Sequence, residues 1–409
     1  MVNCAVEERT AWRQWVTPKP LKGKPIHRWY VFPHSFSSEL VHALIDEWGL
    51  GEDDHILDPF AGAGTTLLAA KEKGVPATGY DLSPLAVLAS RVKVANYDLK
   101  RLQAEWDRLS KRLDPARWNG AESDYPELVR KALPGRLLGA YEGTLRNIAE
   151  MNASETERDF FRLAVLTTVP HFSRAVATGG WLKWVRKSSR ATSLTRAISG
   201  RVEAMLRDIQ DAKLPRRALW RVREADARAL PDADGTYSAV ITSPPYPNRH
   251  DYTRVFGVEL MLAFLDWEET RRLRYQSFHS HPEARPERPE AHGYALPGQL
   301  TDVLKRIEQK SRDLRVPRMI EGYFLDMYLC LQEVARVCKP GAHVALVVGN
   351  AQYSGVPVLV DELTAEIGED AGLYCDKLIA VRYRGNSAQQ MGRYGRRPSR
   401  ESIVVLRKS

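Results

Sequence analysis

Residues His55–Phe60 form a short apolar run that reads as a buried strand, and Ala61-Gly62-Ala63-Gly64-Thr65-Thr66 follows it directly. Gly62 and Gly64 let backbone approach a ligand where a Cβ would intrude. Thr65 and Thr66 open a helix to about Lys73, and Gly74 ends it. A second strand, Ala77–Tyr80, ends at Asp81. A strand, a glycine loop, a helix and another strand make the first unit of a doubly wound α/β sheet, in which ligands bind beyond the carboxyl ends of the strands. No Gly-Lys-Ser/Thr follows, so an ATP-type phosphate loop is disfavoured. Asp58, at the end of the first strand, suits a cationic ligand. Asp81 lies about twenty residues beyond the glycines, where an acid accepts from ribose hydroxyls. The plainer reading of Asp81 is an N-cap for the helix Pro84–Asn96, a role for which Ser83 competes.

Far downstream a second apolar run, Tyr237–Ile241, leads into Thr242-Ser243-Pro244-Pro245-Tyr246. Two prolines stop the strand because neither donates a backbone hydrogen bond. A hydroxyl, a carbonyl and an aromatic ring then share one rigid lip, a set that suits a flat heterocycle bearing an amino group. Alone, the lip reads as a stiff loop with a packing tyrosine.

Together, Leu57-Asp58-Pro59-Phe60-Ala61-Gly62-Ala63-Gly64-Thr65-Thr66 and the Thr-Ser-Pro-Pro-Tyr lip resemble the amino-group DNA methyltransferases, most closely the cytosine-N4 branch. The resemblance covers residues 29–97 and 216–270, more loosely the C-terminal part. It implies a Rossmann-like, class I S-adenosylmethionine-dependent methyltransferase sheet with helices on both faces, interrupted by a mainly helical insertion. It implies S-adenosylmethionine as cofactor, held by Asp58, Phe60, Gly62, Gly64 and Thr65, with Asp81 on the ribose. Asp226 is the candidate for the adenine ring, with Glu224 as alternative. Ser35 and Phe36, beside His34, are candidates for the methionine end, against the reading of an ordinary packing helix. Ser243, Pro244, Pro245 and Tyr246 would hold the target base. The implied activity is site-specific methylation of cytosine N4 in duplex DNA after base flipping. Adenine-N6 methylation is the nearest alternative, followed by RNA base methylation and a non-catalytic DNA-binding relic. Cytosine-C5 methylation is disfavoured, because none of the four cysteines follows a proline. Familiar cytosine-N4 enzymes often carry the lip before the cofactor loop, and here the order is reversed.

With 409 residues, the chain exceeds one minimal domain. We divide it into an N-terminal arm (1–28), a catalytic domain (29–97 and 216–409), a helical insertion (98–215) that is a candidate DNA-recognition region, and a loop-rich insertion (271–317). The insertion reads as helices over Leu99–Leu113, Pro126–Met151, Glu155–Thr168 and Thr192–Asp211. A net charge of +9 favours a polyanionic partner. Between Phe160 and Val202 there are eight arginines and lysines and no acid, interleaved with Phe172, Trp181 and Trp184. A charge run is ordinarily a solvated face. With aromatics interleaved it makes Lys183, Arg186, Lys187 and Arg190 candidate phosphate contacts. Arg249 beside the lip, and Arg393, Arg396 and Arg397 near the C-terminus, are further candidates. Residues 274–300, with His279, His281 and His292, read as a mobile surface loop rather than a metal site. The scattered cysteines read as reduced thiols. No apolar run approaches the ~18 residues of a membrane span. The expected partners are double-stranded DNA and, acting separately, a cognate restriction endonuclease, with no membrane and no metal. The expected location is the cytoplasm, at the nucleoid.

Overall fold

The computed structural model describes residues 4–113, 124–187, 191–212, 214–216, 219–311, 313–385, 392, 395 and 398–409. Its strands are β1 (Ala5–Glu8), β2 (Ile56–Asp58), β3 (Ala77–Asp81), β4 (Ala175–Thr178), β5 (Trp181–Trp184), β6 (Trp220–Glu224), β7 (Tyr237–Thr242), β8 (Cys338–Gly349), β9 (Ala351–Tyr353), β10 (Val356–Val358), β11 (Leu373–Gly385) and β12 (Pro398–Lys408). The main sheet runs in the order β1-β11-β12-β8-β7-β2-β3-β6. Every pair in it is parallel except those of β12, which lies antiparallel between β8 and β11. From β2 the chain winds outward through β3 and β6, and then returns to β7 on the other side. The switch point therefore falls between β2 and β7, where a doubly wound sheet opens its ligand crevice. Both sequence motifs end there.

Strands covered on both faces carry continuous apolar runs rather than alternation, and β8 is an example. Ala345 and Val347 enter one core, and Val344, Leu346 and Val348 the other. On the first face lie α1 (Ser38–Trp48), α2 (Thr65–Glu72), α3 (Pro84–Val94) and the helices of the 98–215 segment. Those are α4 (Leu99–Ser110), α5 (Glu127–Ala132), α6 (Arg136–Ala149), α7 (Glu155–Leu166), α8 (Val169–Phe172) and α9 (Ala191–Asp211). They share one core with the sheet: Trp106, Phe160 and Leu194 belong to the same cluster as Ile56. Beyond the lip come α10 (Tyr252–Val255), α11 (Gly257–Ala263) and α12 (Trp267–Gln276). The second face is covered by α13 (Gly298–Lys310), α14 (Arg315–Val337) and α15 (Val360–Asp370).

The helix expected over Pro126–Met151 breaks at Pro134-Gly135, where Gly135 has φ +62°. Proline cannot donate within a helix, and glycine accepts positive φ freely. Gly179 and Gly180 form the two-residue turn of the β4–β5 hairpin, with Thr178 opposite Trp181. Three expectations are corrected. Residues 5–8 of the arm are the edge strand β1, paired with Lys377–Ala380 of β11. Cys4 and Cys375 are not reduced thiols but a disulfide, while Cys330 and Cys338 are free and buried. Finally, the segment between α12 and α13 is anchored: Phe278, Ser280, His281 and Ala284 are buried. The Asp326 carboxylate on α14 accepts from the His279 backbone and ring and from Arg228 and Arg288.

Candidate active site

The two motifs are joined by side chains. Asp58, buried at the end of β2, accepts from Thr242 Oγ1 at 2.6 Å and from the Phe60 amide at 3.1 Å. Thr66 Oγ1 donates to the Ile241 carbonyl at 3.1 Å. Neither threonine figured among the expected site residues. Both stand inside the motifs, and only the pairing of β2 with β7 shows what they face.

A cleft opens over this junction. It is lined by Ser35, Phe36, Asp58, Phe60, Gly62, Thr65, Asp81, Asp226, Ser243 and Pro245, all anticipated, by Tyr252 just past the lip, and by Phe32, Phe256 and Phe278, which were not anticipated. The aromatic walls come from segments with no motif, so only packing brings them together. Ser35 Oγ lies 2.9 Å from Thr65 Oγ1 and ties the pre-strand segment to the loop. Gly64 does not line the cleft. A Cβ there would stand 2.9 Å from Ser90 Cα, so its missing side chain makes room for α3 rather than for a ligand.

Asp81 accepts from the Gly62 amide at 2.9 Å and from the Ser83 amide at 2.9 Å. Burial pushes the Asp58 and Asp81 carboxyls up to about 6, against the hydrogen bonds they accept. Asp226 is held by Arg228, whose Nε and Nη2 donate to its two oxygens at 2.9 and 2.6 Å. Lys93 also escaped the sequence reading. Fully buried on α3, its ammonium nitrogen lies 2.5 Å from the Tyr30 carbonyl and 2.8 Å from that of Ala63, bridging the cleft's pre-strand wall and the glycine loop. Burial pulls its pKa down to about 7.

At the lip, Ser243 Oγ donates to the Val347 carbonyl of β8 at 3.0 Å. Tyr246 is half-buried, and its hydroxyl faces Glu401 at 3.4 Å. A Cβ on Gly349 would come within 2.9 Å of the Tyr246 ring, so the end of β8 is shaped to seat it. Past the lip, Arg249 takes a left-handed conformation, φ +67°, and its amide donates to the Ser280 carbonyl. Such strain in a non-glycine residue concentrates at functional sites.

The DNA methylase family model matches residues 6–90. Over its whole length the chain is 29% identical to the type II methyltransferase M.BsoBI of Geobacillus stearothermophilus, covering 90% of that protein. It is 28% identical to the type II methyltransferase M.AvaI of a Nostoc species, over 97% of this chain and 89% of that one. Over its whole length the chain thus resembles the amino-group DNA methyltransferases.

The cofactor of this methyltransferase is S-adenosylmethionine, and the donor set fits it. The cleft offers carboxylates at Asp58, Asp81 and Asp226 for cationic and hydroxyl groups, and aromatic rings for a flat base. Among the described residues, no cluster of three or more His, Cys, Asp or Glu could hold a metal, and no helix is long and apolar enough to cross a membrane. The candidate phosphate contacts of the methyltransferase divide. Lys183 and Arg186 are exposed. Lys187 donates to the Pro170 and His171 carbonyls at 2.9 and 3.1 Å, and Arg249 pairs with Asp313 at 3.4 Å. Arg190, Arg393, Arg396 and Arg397 lie outside the described residues.

Proposed function

We propose that the chain methylates, site-specifically, the N4 amino group of cytosine in duplex DNA, after the base has been flipped into the cleft beside Ser243. S-adenosylmethionine supplies the methyl group. The observation that carries the reading is the Ser243–Val347 hydrogen bond. It turns the hydroxyl proton toward β8, which leaves the oxygen lone pairs free to accept.

Cytosine N4 is a weak nucleophile because its lone pair is delocalised into the ring. Ser243 Oγ and the Pro244 carbonyl accept the two amino hydrogens, which favours a pyramidal nitrogen with its lone pair directed into the cleft. Tyr246 stacks on the base, and Pro245 stiffens the lip. A neutral hydroxyl is no general base at neutral pH, so the proton leaves to solvent as charge develops. Positioning, which can contribute roughly 7–11 kcal/mol, is the main source of rate. Asp58, Phe60, Gly62, Thr65, Asp81, Asp226, Ser35 and Phe36 bind the cofactor, and Lys183 and Arg186 lie along DNA phosphates. The serine at the first lip position favours cytosine N4 over adenine N6. A DNA substrate also favours the cytoplasm, at the nucleoid, as the place of action.

The test is methylation of duplex DNA of diverse sequence with labelled cofactor, followed by digestion and mass spectrometry of the nucleosides. N4-methylcytosine is expected. Ser243→Ala should lower its rate by roughly 100–1,000-fold, as loss of a transition-state contact does, with cofactor affinity unchanged. N6-methyladenine as the product would overturn the choice of base.

A further inference from the structure

The β4–β5 hairpin has no part in the sheet or the cofactor cleft, yet its tip is docked beside the lip. A Cβ on Gly180 would lie 3.4 Å from His250 Nδ1 and 3.5 Å from the Arg249 carbonyl. His250 in turn meets the His34 ring at 4.3 Å between centroids and the Tyr252 ring at 4.8 Å, and both of those residues line the cleft. The turn is thus two side chains away from the cleft. A Cβ at Gly180 would sit in ordinary van der Waals contact with these atoms, so the turn packs directly on them, and Gly179 takes φ +58°.

The next residue is Trp181, which is 65% exposed. Strand alternation sends Trp181 and Lys183 to one face and Leu182 and Trp184 to the other. Leu182 and Trp184 line a neighbouring groove with Leu128, Arg254 and Trp267. Trp181 is steadied by the Arg254 guanidinium, 5.5 Å from its ring centroid. A large ring left in solvent in a chain segment free of acids, between Phe160 and Val202, has the chemistry of a base-stacking surface.

We infer that this hairpin is a wedge that enters duplex DNA at the target base pair. Trp181 stacks in the space the flipped cytosine leaves, and Lys183 holds the flanking phosphate. The inference rests on the proposed flipping of a base to the lip. Flipping costs a few kcal/mol of stacking and pairing, least when the base is already mispaired. An inserted ring offsets part of that cost.

The experiment first maps the wild-type protein's methylated sites on genomic DNA. It then compares wild type, Trp181→Ala and Trp181→Phe in single-turnover methylation of two duplexes, one with the target base correctly paired and one with it mispaired. Trp181→Ala should be at least ~10-fold slower on the paired duplex and within ~3-fold of wild type on the mispaired one, with Trp181→Phe between and cofactor affinity unchanged. Unaltered rates on the paired duplex, or equal losses on both, overturn the wedge. Unaltered rates together with loss of self-association would assign the surface to a second copy of the chain. Absence of DNA methylation by the wild-type protein itself would instead remove the proposed function, and the wedge with it.

Discussion

Asp58 and Thr242 are 184 residues apart and 2.6 Å from oxygen to oxygen, and this pair makes the cleft sensitive to pH. With the Asp58 carboxyl raised to about 6 by burial, the ionised form that suits a cationic ligand dominates only above that pH. S-adenosylmethionine affinity should therefore rise as pH climbs through about 6 and fall below it. The Thr242 hydroxyl donates to the carboxylate and favours its ionised form. Thr242→Val should move the midpoint of this profile to higher pH, which calorimetric titration across the acid side of neutrality would read; an unmoved midpoint counts against the pair. For folding the sign differs. Asp58 and Asp81 retain protons that the unfolded chain has already lost between the ordinary carboxylate range and about 6, so their burial costs stability as pH rises through that window. Lys93 works the other way. The unfolded chain binds the lysine proton up to about 10.4, whereas the folded one releases it near 7. Stability contributed by this site should rise from about pH 7 into the alkaline range. Lys93→Met should abolish that rise and weaken cofactor binding, since the Tyr30 and Ala63 carbonyls lose their bridge. Melting curves at several pH values, with and without cofactor, check both outcomes.

Among the elements, α14 shows how a helix that carries no motif governs the site. Burial pushes the Asp326 carboxyl up, but His279, Arg228 and Arg288 outweigh it and hold it at about 2. Through Arg228, the same carboxylate steadies Asp226 in the cofactor cleft; through His279 and Arg288 it anchors the segment that follows α12. Removing one partner of a buried ionic cluster costs about 3–5 kcal/mol. Asp326→Asn should lower stability toward that range in urea unfolding and raise the apparent KM for cofactor. This hub was not legible in the sequence. Asp326 sits in a periodic helix, His279 in a proline-rich stretch that resembles a surface loop, and nothing in their spacing links them. The motif-bearing elements were legible, because a strand, glycine loop and helix are local patterns. β2, α2, β3 and β7 fall within a few residues of their expected bounds. The β4–β5 hairpin was missed because a Gly-Gly pair marks a turn without saying whether strands flank it.

At the scale of the molecule, a doubly wound sheet was implied by the motifs, while the contribution of the first residues to its far edge was not. Short polar segments such as Ala5–Glu8 carry no periodic signal, and their pairing with β11 is decided by a partner more than 360 positions away. The helices of 98–215 likewise join the core of the sheet, because their apolar faces pack on α3 and on the first face of the sheet rather than on one another alone. The edge arrangement reaches further than stability. Lys377 of β11 pairs with Ala5 on one side and Val405 on the other, so those two residues stand about 10 Å apart, two interstrand spacings. A few linking residues would span that distance. A circular permutant joined there and opened in the turn before β7 would present the lip ahead of the cofactor loop, the reverse of the present order, while Asp58 and Thr242 kept their places at the switch point. The linear order of the motifs is thus a property of where the polypeptide is cut, and the site belongs to the sheet.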